Sequence, residues 1–304
     1  LLGLGVARAQ PAPPKPTPPA PEEAALSLRP RYVAGFEREV EARLSILTTL
    51  RYTLPSAGID RTSEQESVTS KHWTDHVREG GKRAPIRVIR RYLSSWEGLR
   101  EGGEARLQRS LSPLSGKRLE VWWDQRRKER RCEEHGGGPS AIPSRYFEGE
   151  LLGERWDAAL PRDPVAPGAR WKIEERADLA RLLGPALAEK GRIEVTFAEV
   201  AEQRLHELLE PTRYARIELR VEVRAETGQP PVRVTSQLSG ELLFDLSVRQ
   251  IAQVELKGTA RLETVREEAG HQLMVKGAGP LRLRQRMWFP RKPKPKKKPK
   301  QKKD

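Results

Sequence analysis

"ARIELRVEVRAE", Ala215 to Glu226, decides the fold class. Ala215, Ile217, Leu219, Val221, Val223 and Ala225 fall on odd positions, and Arg216, Glu218, Arg220, Glu222, Arg224 and Glu226 on even ones. An α-helix would scatter both sets around its axis. A β-strand puts each set on one face, because successive side chains point to opposite sides of the pleat. The stretch therefore reads as a half-buried antiparallel strand with a charged outer face.

The same period recurs along the body. "FEREVEARLSI" aligns Phe36, Val40, Ala42, Leu44 and Ile46, with Arg38 as the charged exception on the apolar face. "RIEVTF" aligns Ile193, Val195 and Phe197, and "IAQVELKGTARLE" aligns Ala252, Val254, Leu256, Gly258, Ala260 and Leu262. "LRLRQRMWF" aligns Leu281, Leu283, Gln285, Met287 and Phe289. "VRVTSQLSGELLFDL" carries Gly240 inside a strand pattern, which predicts a bulge or bend there. Turn signals such as "EGGKR", "EHGGGP", "ETGQPP" and "KGAGP" separate these runs, as in a meander. Several runs exceed the usual strand length, so the expected fold is mainly β: long antiparallel strands in a curved sheet or partial barrel, with one or two short helices and disordered termini. "EERADLARLLGPALAEKG" is the clearest helix, with Leu179, Leu182 and Leu183 on one stripe and Gly184-Pro185 as its stop. "VAEQRLHELLEP" (200–211) lies between two strands and reads as a hairpin with charged sides.

The boundaries follow composition. Residues 1–9, "LLGLGVARA", read as the end of a signal peptide, with Ala7-Arg8-Ala9 fitting the small-x-small cleavage rule. Residues 10–25 are a Pro-rich linker of extended polyproline type. Residues 26–159 form an N-terminal β half, 160–171 a Pro/Gly crossover, 172–290 a C-terminal β half and 291–304 a disordered Lys-rich tail. The expected location is outside the cytoplasm, in the periplasm or on the cell surface. No apolar run is long enough for a transmembrane segment.

Charge is uneven. The chain carries a formal +15, of which the tail contributes nine cations, Arg291, Lys292, Lys294, Lys296, Lys297, Lys298, Lys300, Lys302 and Lys303, against Asp304. Such a run attracts polyanions: an anionic envelope polymer, lipid headgroups or, less readily for an exported chain, nucleic acid. The alternative is a solubilising tail without a partner.

No contiguous motif marks a reaction. The chain has no G-x-S-x-G, Walker loop, H-E-x-x-H or dinucleotide fingerprint, so no enzyme, catalytic residue or cofactor is expected. Cys132 is the sole cysteine and its C-x-x-H spacing to His135 lacks a second pair. His72 and His76 flank Asp75 at a spacing that shares a face, yet two imidazoles do not specify a zinc site. The seven tryptophans admit two readings, a ligand cleft or caps on the core, and burial favours the second. Trp122-Trp123 predicts one ring in the core and one outside it. "LSGKRLEVWW" and "LSGELLFDLS" echo each other and hint at related halves.

"LPRDPVAPGARW", Leu160 to Trp171, is the most distinctive stretch. Its prolines bar regular ladder pairing, so Pro161, Pro164, Val165, Gly168 and Trp171 are expected to make a structural crossover, with Val165 and Trp171 as packing anchors. Together with "VREGGKRAPIRVIRRY", "LSGKRLEVWWDQRRKERRCEEHGG" and "SGELLFDLSVRQIAQVELKGTARLE", it resembles a group of secreted bacterial proteins marked by Leu-Pro-x-x-Pro-Val-x-x-Gly-x-x-Trp. Where that group often has Asp beside the glycine, this chain has Ala169. The group has no assigned activity, so the resemblance transfers no catalytic residue. Its general look is similar to the curved half-barrels of periplasmic lipoprotein and lipid carriers, which implies a hydrophobic ligand as the alternative to a binding scaffold.

Overall fold

In the computed structural model, described residues are 24–289 except 82–83, 103, 105, 137–141, 144, 149–154, 184–189, 206–209, 228–229 and 269. The Lys-rich tail and nearly all of the signal remnant and linker lie outside them.

The strands are β1 (Glu37–Leu54), β2 (Ile59–Glu79), β3 (Arg87–Glu101), β4 (Gln108–Leu111), β5 (Arg118–Asp124), β6 (Glu129–Glu134), β7 (Arg170–Ile173), β8 (Lys190–Gln203), β9 (Thr212–Thr227), β10 (Val232–Asp245), β11 (Gln250–Glu268) and β12 (His271–Trp288). They form one antiparallel sheet in the order β6-β5-β3-β2-β1-β12-β11-β10-β9-β8-β7, with β4 beside β3. The sheet is curved and not closed. Neighbours on the path are consecutive in sequence except β3 and β5, with β4 between them in the chain, and β1 and β12, whose pairing, from Glu39 opposite Trp288 to Thr53 opposite Met274, joins the N-terminal strands to the C-terminal ones.

One apolar face runs through the whole register. Trp73 pairs with Val40, Val40 with Met287, Leu256 with Leu283, Leu242 with Ile217, and Ile217 with Phe197, so each strand's hydrophobic set meets its neighbour's. A diagonal of glycines, Gly240, Gly258 and Gly279, crosses β10, β11 and β12 on that face. A Cβ at any of them would overlap a backbone carbonyl of the adjacent strand, at Glu255, Gln237 and Leu47 respectively. The strands approach there more closely than side chains allow.

At one end of the sheet a second layer covers this face. A one-turn 3₁₀ helix at Arg155–Ala159 inserts Trp156, and a helix at Arg176–Leu183 inserts Leu179 and Leu182, all at most 1% exposed. Leu28 from the N-terminal approach joins them, and they form one core with Phe197, Ile217, Leu219, Leu242 and Phe244. Each such side chain, fully buried, contributes about 1.5–3 kcal/mol of transfer free energy. Toward the other end, where β1 meets β2 through a turn at Pro55–Ala57, Leu44, Ile46, Val234, Ala260, Leu262 and Leu283 on the same face stay partly exposed.

Five sequence expectations need correction. "KGAGP" (276–280), read as a turn signal, lies inside β12 and pairs on both sides. Gly240 lies in regular pairing, and the bulge falls between Leu243 and Phe244. That bulge turns Ala252 away from the Val254–Leu262 face, into a small cluster with Tyr214 and Leu243. Neither ring of Trp122-Trp123 is core: Trp122 is half-buried and Trp123 is 43% exposed near the sheet edge. The Leu-Ser-Gly echo is not structural. Gly116 sits in a turn at φ +77°, whereas Gly240 lies inside β10.

Candidate functional site

Arg38, the odd charge on β1, is 3% exposed and faces Asp75 on β2, which in turn faces Arg90 on β3. Arg38 donates to Asp75 from Nε and Nη2 at 3.0 and 2.8 Å, and Arg90 from Nε and Nη2 at 2.7 and 2.9 Å. Burial alone would raise the carboxyl pKa of Asp75, but Arg90 and then Arg38 outweigh it and hold the group down at about 2. Arg90 also lies over the Trp73 ring, and Arg38 over that of Tyr32, whose hydroxyl donates to Asp157 at 2.7 Å. This constellation is closed to solvent and ties the N-terminal approach, the sheet and the covering segment together. It acts as a clamp and offers no open position for a substrate.

The histidine pair does not converge on a metal. His72 Nε2 lies 2.7 Å from Glu39, His76 Nδ1 lies 2.9 Å from Glu37, and each stands on the outer face of β2 with its own carboxylate on β1. Among the described residues no group of three or more His, Cys, Asp or Glu could hold a metal ion. Cys132 on β6 is half-buried against the core.

The crossover residues sit in irregular chain. Val165 exchanges backbone hydrogen bonds with Leu26 at 2.8 and 3.0 Å, so the segment is pinned to the N-terminal approach. Gly168 adopts φ +88°, a left-handed turn conformation that glycine enters without a Cβ penalty. Its N–H donates to Phe197 on β8. Trp171 opens the inner row of β7, and its indole N–H donates to the Ala159 carbonyl at 3.0 Å. Val165 and Trp171 both pack on the main core.

The outer face holds a groove that no local sequence pattern announced. The register lines up Lys190, Arg224, Thr235, Arg261, Ala278 and Thr49 across six consecutive strands, β8 to β12 and then β1. Two residues further along, Glu226, Arg233, Glu263 and Lys276 form a parallel row. Between them the backbone of Ala225, Val234, Leu262 and Gly277 makes the floor of a cleft of about 670 Å³. The cleft crosses the strands rather than following them. One wall is cationic wherever it is charged: Lys190, Arg224 and Arg261 are exposed and make no ion pair among the described residues. The other wall is satisfied internally, by Arg233 with Glu226 at 3.2 Å and Lys276 with Glu263 at 3.0 Å. Five cations against two carboxylates leave the cleft at +3.

Positive charge continues along β12. Arg282, Arg284 and Arg286 share the outer face, with Arg43 opposite Arg284. Arg282 is held by Glu255 at 2.7 Å. Burial, then the neighbouring Arg284, lowers the Arg286 guanidinium from its ordinary value, against the pull of Glu255 and Glu41.

No helix among the described residues is long and apolar enough to cross a membrane. No protein-family model matches the chain. No curated protein matches it either. Among solved structures, one described as lipid-protein interactions in lipovitellin aligns over 82% of this chain at 8% identity and TM-score 0.40. The match spans only 25% of that larger chain. The Pseudomonas aeruginosa MucA/MucB complex aligns over 78% of this chain and 88% of that one, at 11% identity and TM-score 0.09.

Proposed function

We propose that the protein is an exported, non-enzymatic binding scaffold of the cell envelope, and that its outer face and Lys-rich tail hold an anionic polymer or an anionic membrane surface. The carrying observation is the exposed cationic wall of Lys190, Arg224 and Arg261 on a preformed cleft. A folded sheet fixes the backbone positions of these charges, so binding need order only their side chains, while the tail adds long-range attraction. The test is cosedimentation of the full chain with anionic polysaccharide beads and with anionic lipid vesicles, at low and at high salt. Binding that falls steeply with salt supports the reading. Equal retention on uncharged beads, or no retention at low salt, overturns it.

A second reading, carriage of a hydrophobic ligand, rests on the other face. Leu44, Ile46, Val234, Ala260, Leu262 and Leu283 stay partly exposed on the apolar face of the sheet, beyond the segment that covers its other end. An acyl chain lying there would protect an environment-sensitive fluorophore attached near Ile46, and titration with fatty acid should produce that change saturably. Absence of any such response removes this reading.

A further inference from the structure

We infer that the outer-face cleft is a site for an acidic polysaccharide laid across the strands, one that carries its acidic groups on alternate sugars. The inference rests on the polyanion reading above and names the ligand class. Three features of the cleft select it.

The first is charge spacing. Neighbouring strands lie roughly 4.8 Å apart, so Lys190 and Arg224 are one spacing apart on adjacent strands, while Arg224 and Arg261 are separated by two, roughly 10 Å. The residue between them on β10 is Thr235, small and uncharged. A guanidinium at each end with a hydroxyl between suits a chain whose acids recur at every second unit.

The second is the opposing wall. Glu226 and Glu263 alternate there with Arg233 and Lys276. Paired in this way the wall is neutral overall, so it adds no attraction for a dense polyanion such as polyphosphate. Sugar hydroxyls both donate and accept, so they can pair with each of the four side chains.

The third is what the cleft lacks. Its described lining contains no aromatic residue, only charged, small and aliphatic ones. Single-stranded nucleic acid takes much of its affinity from bases stacked on aromatic rings, and the cleft offers none. The side chains among its lining that stand in the cationic row between and beyond the charges, Thr235, Ala278 and Thr49, are small.

The experiment uses the full chain and a Lys190→Gln/Arg224→Gln/Arg261→Gln variant. All three side chains are exposed, so the variant should fold, and unchanged far-UV circular dichroism checks that it does. The probes are hyaluronate fragments, with a carboxylate on alternate sugars, polygalacturonate, with one on every sugar, polyphosphate, a single-stranded oligonucleotide and neutral dextran. Hyaluronate should bind tightest at moderate salt, dextran not at all, and the triple substitution should weaken hyaluronate about tenfold. Glu226→Gln/Glu263→Gln should raise affinity for polyphosphate more than for hyaluronate. A triple variant that binds hyaluronate as well as wild type overturns the site. Tighter binding of polyphosphate or oligonucleotide, lost in the triple variant, overturns the glycan assignment but keeps the polyanion reading. No binding of any polyanion at low salt overturns both.

Discussion

Replacing Asp75 by Asn leaves the shape of the inner face intact and removes one charge from a buried group of three. Arg38, Asp75 and Arg90 are 3%, 2% and 5% exposed, and four charge-assisted hydrogen bonds converge on the single carboxylate. With Asn, two guanidiniums stay buried against a neutral amide that offers one acceptor oxygen in place of two anionic ones. Breaking a buried pair in this way costs roughly 3–5 kcal/mol, because the desolvation of the remaining charge is no longer offset. For a domain of this size each kcal/mol moves the melting temperature by about 2–4 °C, so Asp75→Asn should melt roughly 6–20 °C below wild type. Arg38→Met/Asp75→Leu/Arg90→Met, which replaces all three charges by apolar groups, should fall much less.

Acid titration gives an independent reading of the same group. The Asp75 carboxyl is depressed to about 2 in the folded state, against an ordinary value of 3.8. Between those values the unfolded chain binds the extra proton, so stability rises with pH. The contribution is complete above about pH 5 and is lost as pH falls through 2, an amount of roughly 2 kcal/mol. The assay is urea unfolding followed by circular dichroism from pH 2 to 7, on wild type and Asp75→Asn. The variant should be less stable throughout and show a shallower acid decline. A loss below about 1 kcal/mol at pH 7, or acid slopes that coincide, would refute the clamp.

Gly258→Ala places a Cβ against the Gln237 carbonyl and should cost at least about 2 kcal/mol in urea unfolding, far beyond the usual effect of a surface alanine. Trp171→Ala removes a half-buried ring and its hydrogen bond to Ala159, and should lower stability by about 2–3 kcal/mol without changing retention on anionic beads. Trp156→Ala opens a cavity in the fully buried contact between the covering segment and the sheet, and should cost roughly 3–5 kcal/mol by thermal melting.

Alternation within each strand was plain in the sequence because it depends only on neighbours two residues apart. From Ala215–Glu226 outward, the inner set of β9 is the set that the odd positions predicted, buried as expected. Proline and glycine also act locally: Val165 and Gly168 lie in irregular chain ahead of β7, where Trp171 pairs with Val195. Arg38 showed as an anomaly, but its partner did not. The sequence drew attention to His72 and His76, whereas Asp75 between them carries the buried clamp. An Arg on an apolar strand face demands a counter-ion, and which residue supplies it depends on the register with β2.

Register also hid the cleft. Lys190, Arg224 and Arg261 are each an ordinary outward charge on its own strand, and nothing within ten residues of any one points to the others. They form a wall because the β8–β9, β9–β10 and β10–β11 turns bring them level. The glycine diagonal has the same origin: Gly240 read as a bulge or bend, Gly258 as one of an apolar set and Gly279 as part of a turn signal, and they fall on one line of close strand approach only when hairpin pairing stacks them obliquely. A one-residue slip at any of these turns would send every outward charge of a strand to the inner face. The apolar face therefore enforces the register, and the register in turn builds the cationic row. The inner hydrophobic pattern sets the geometry of the outer binding surface.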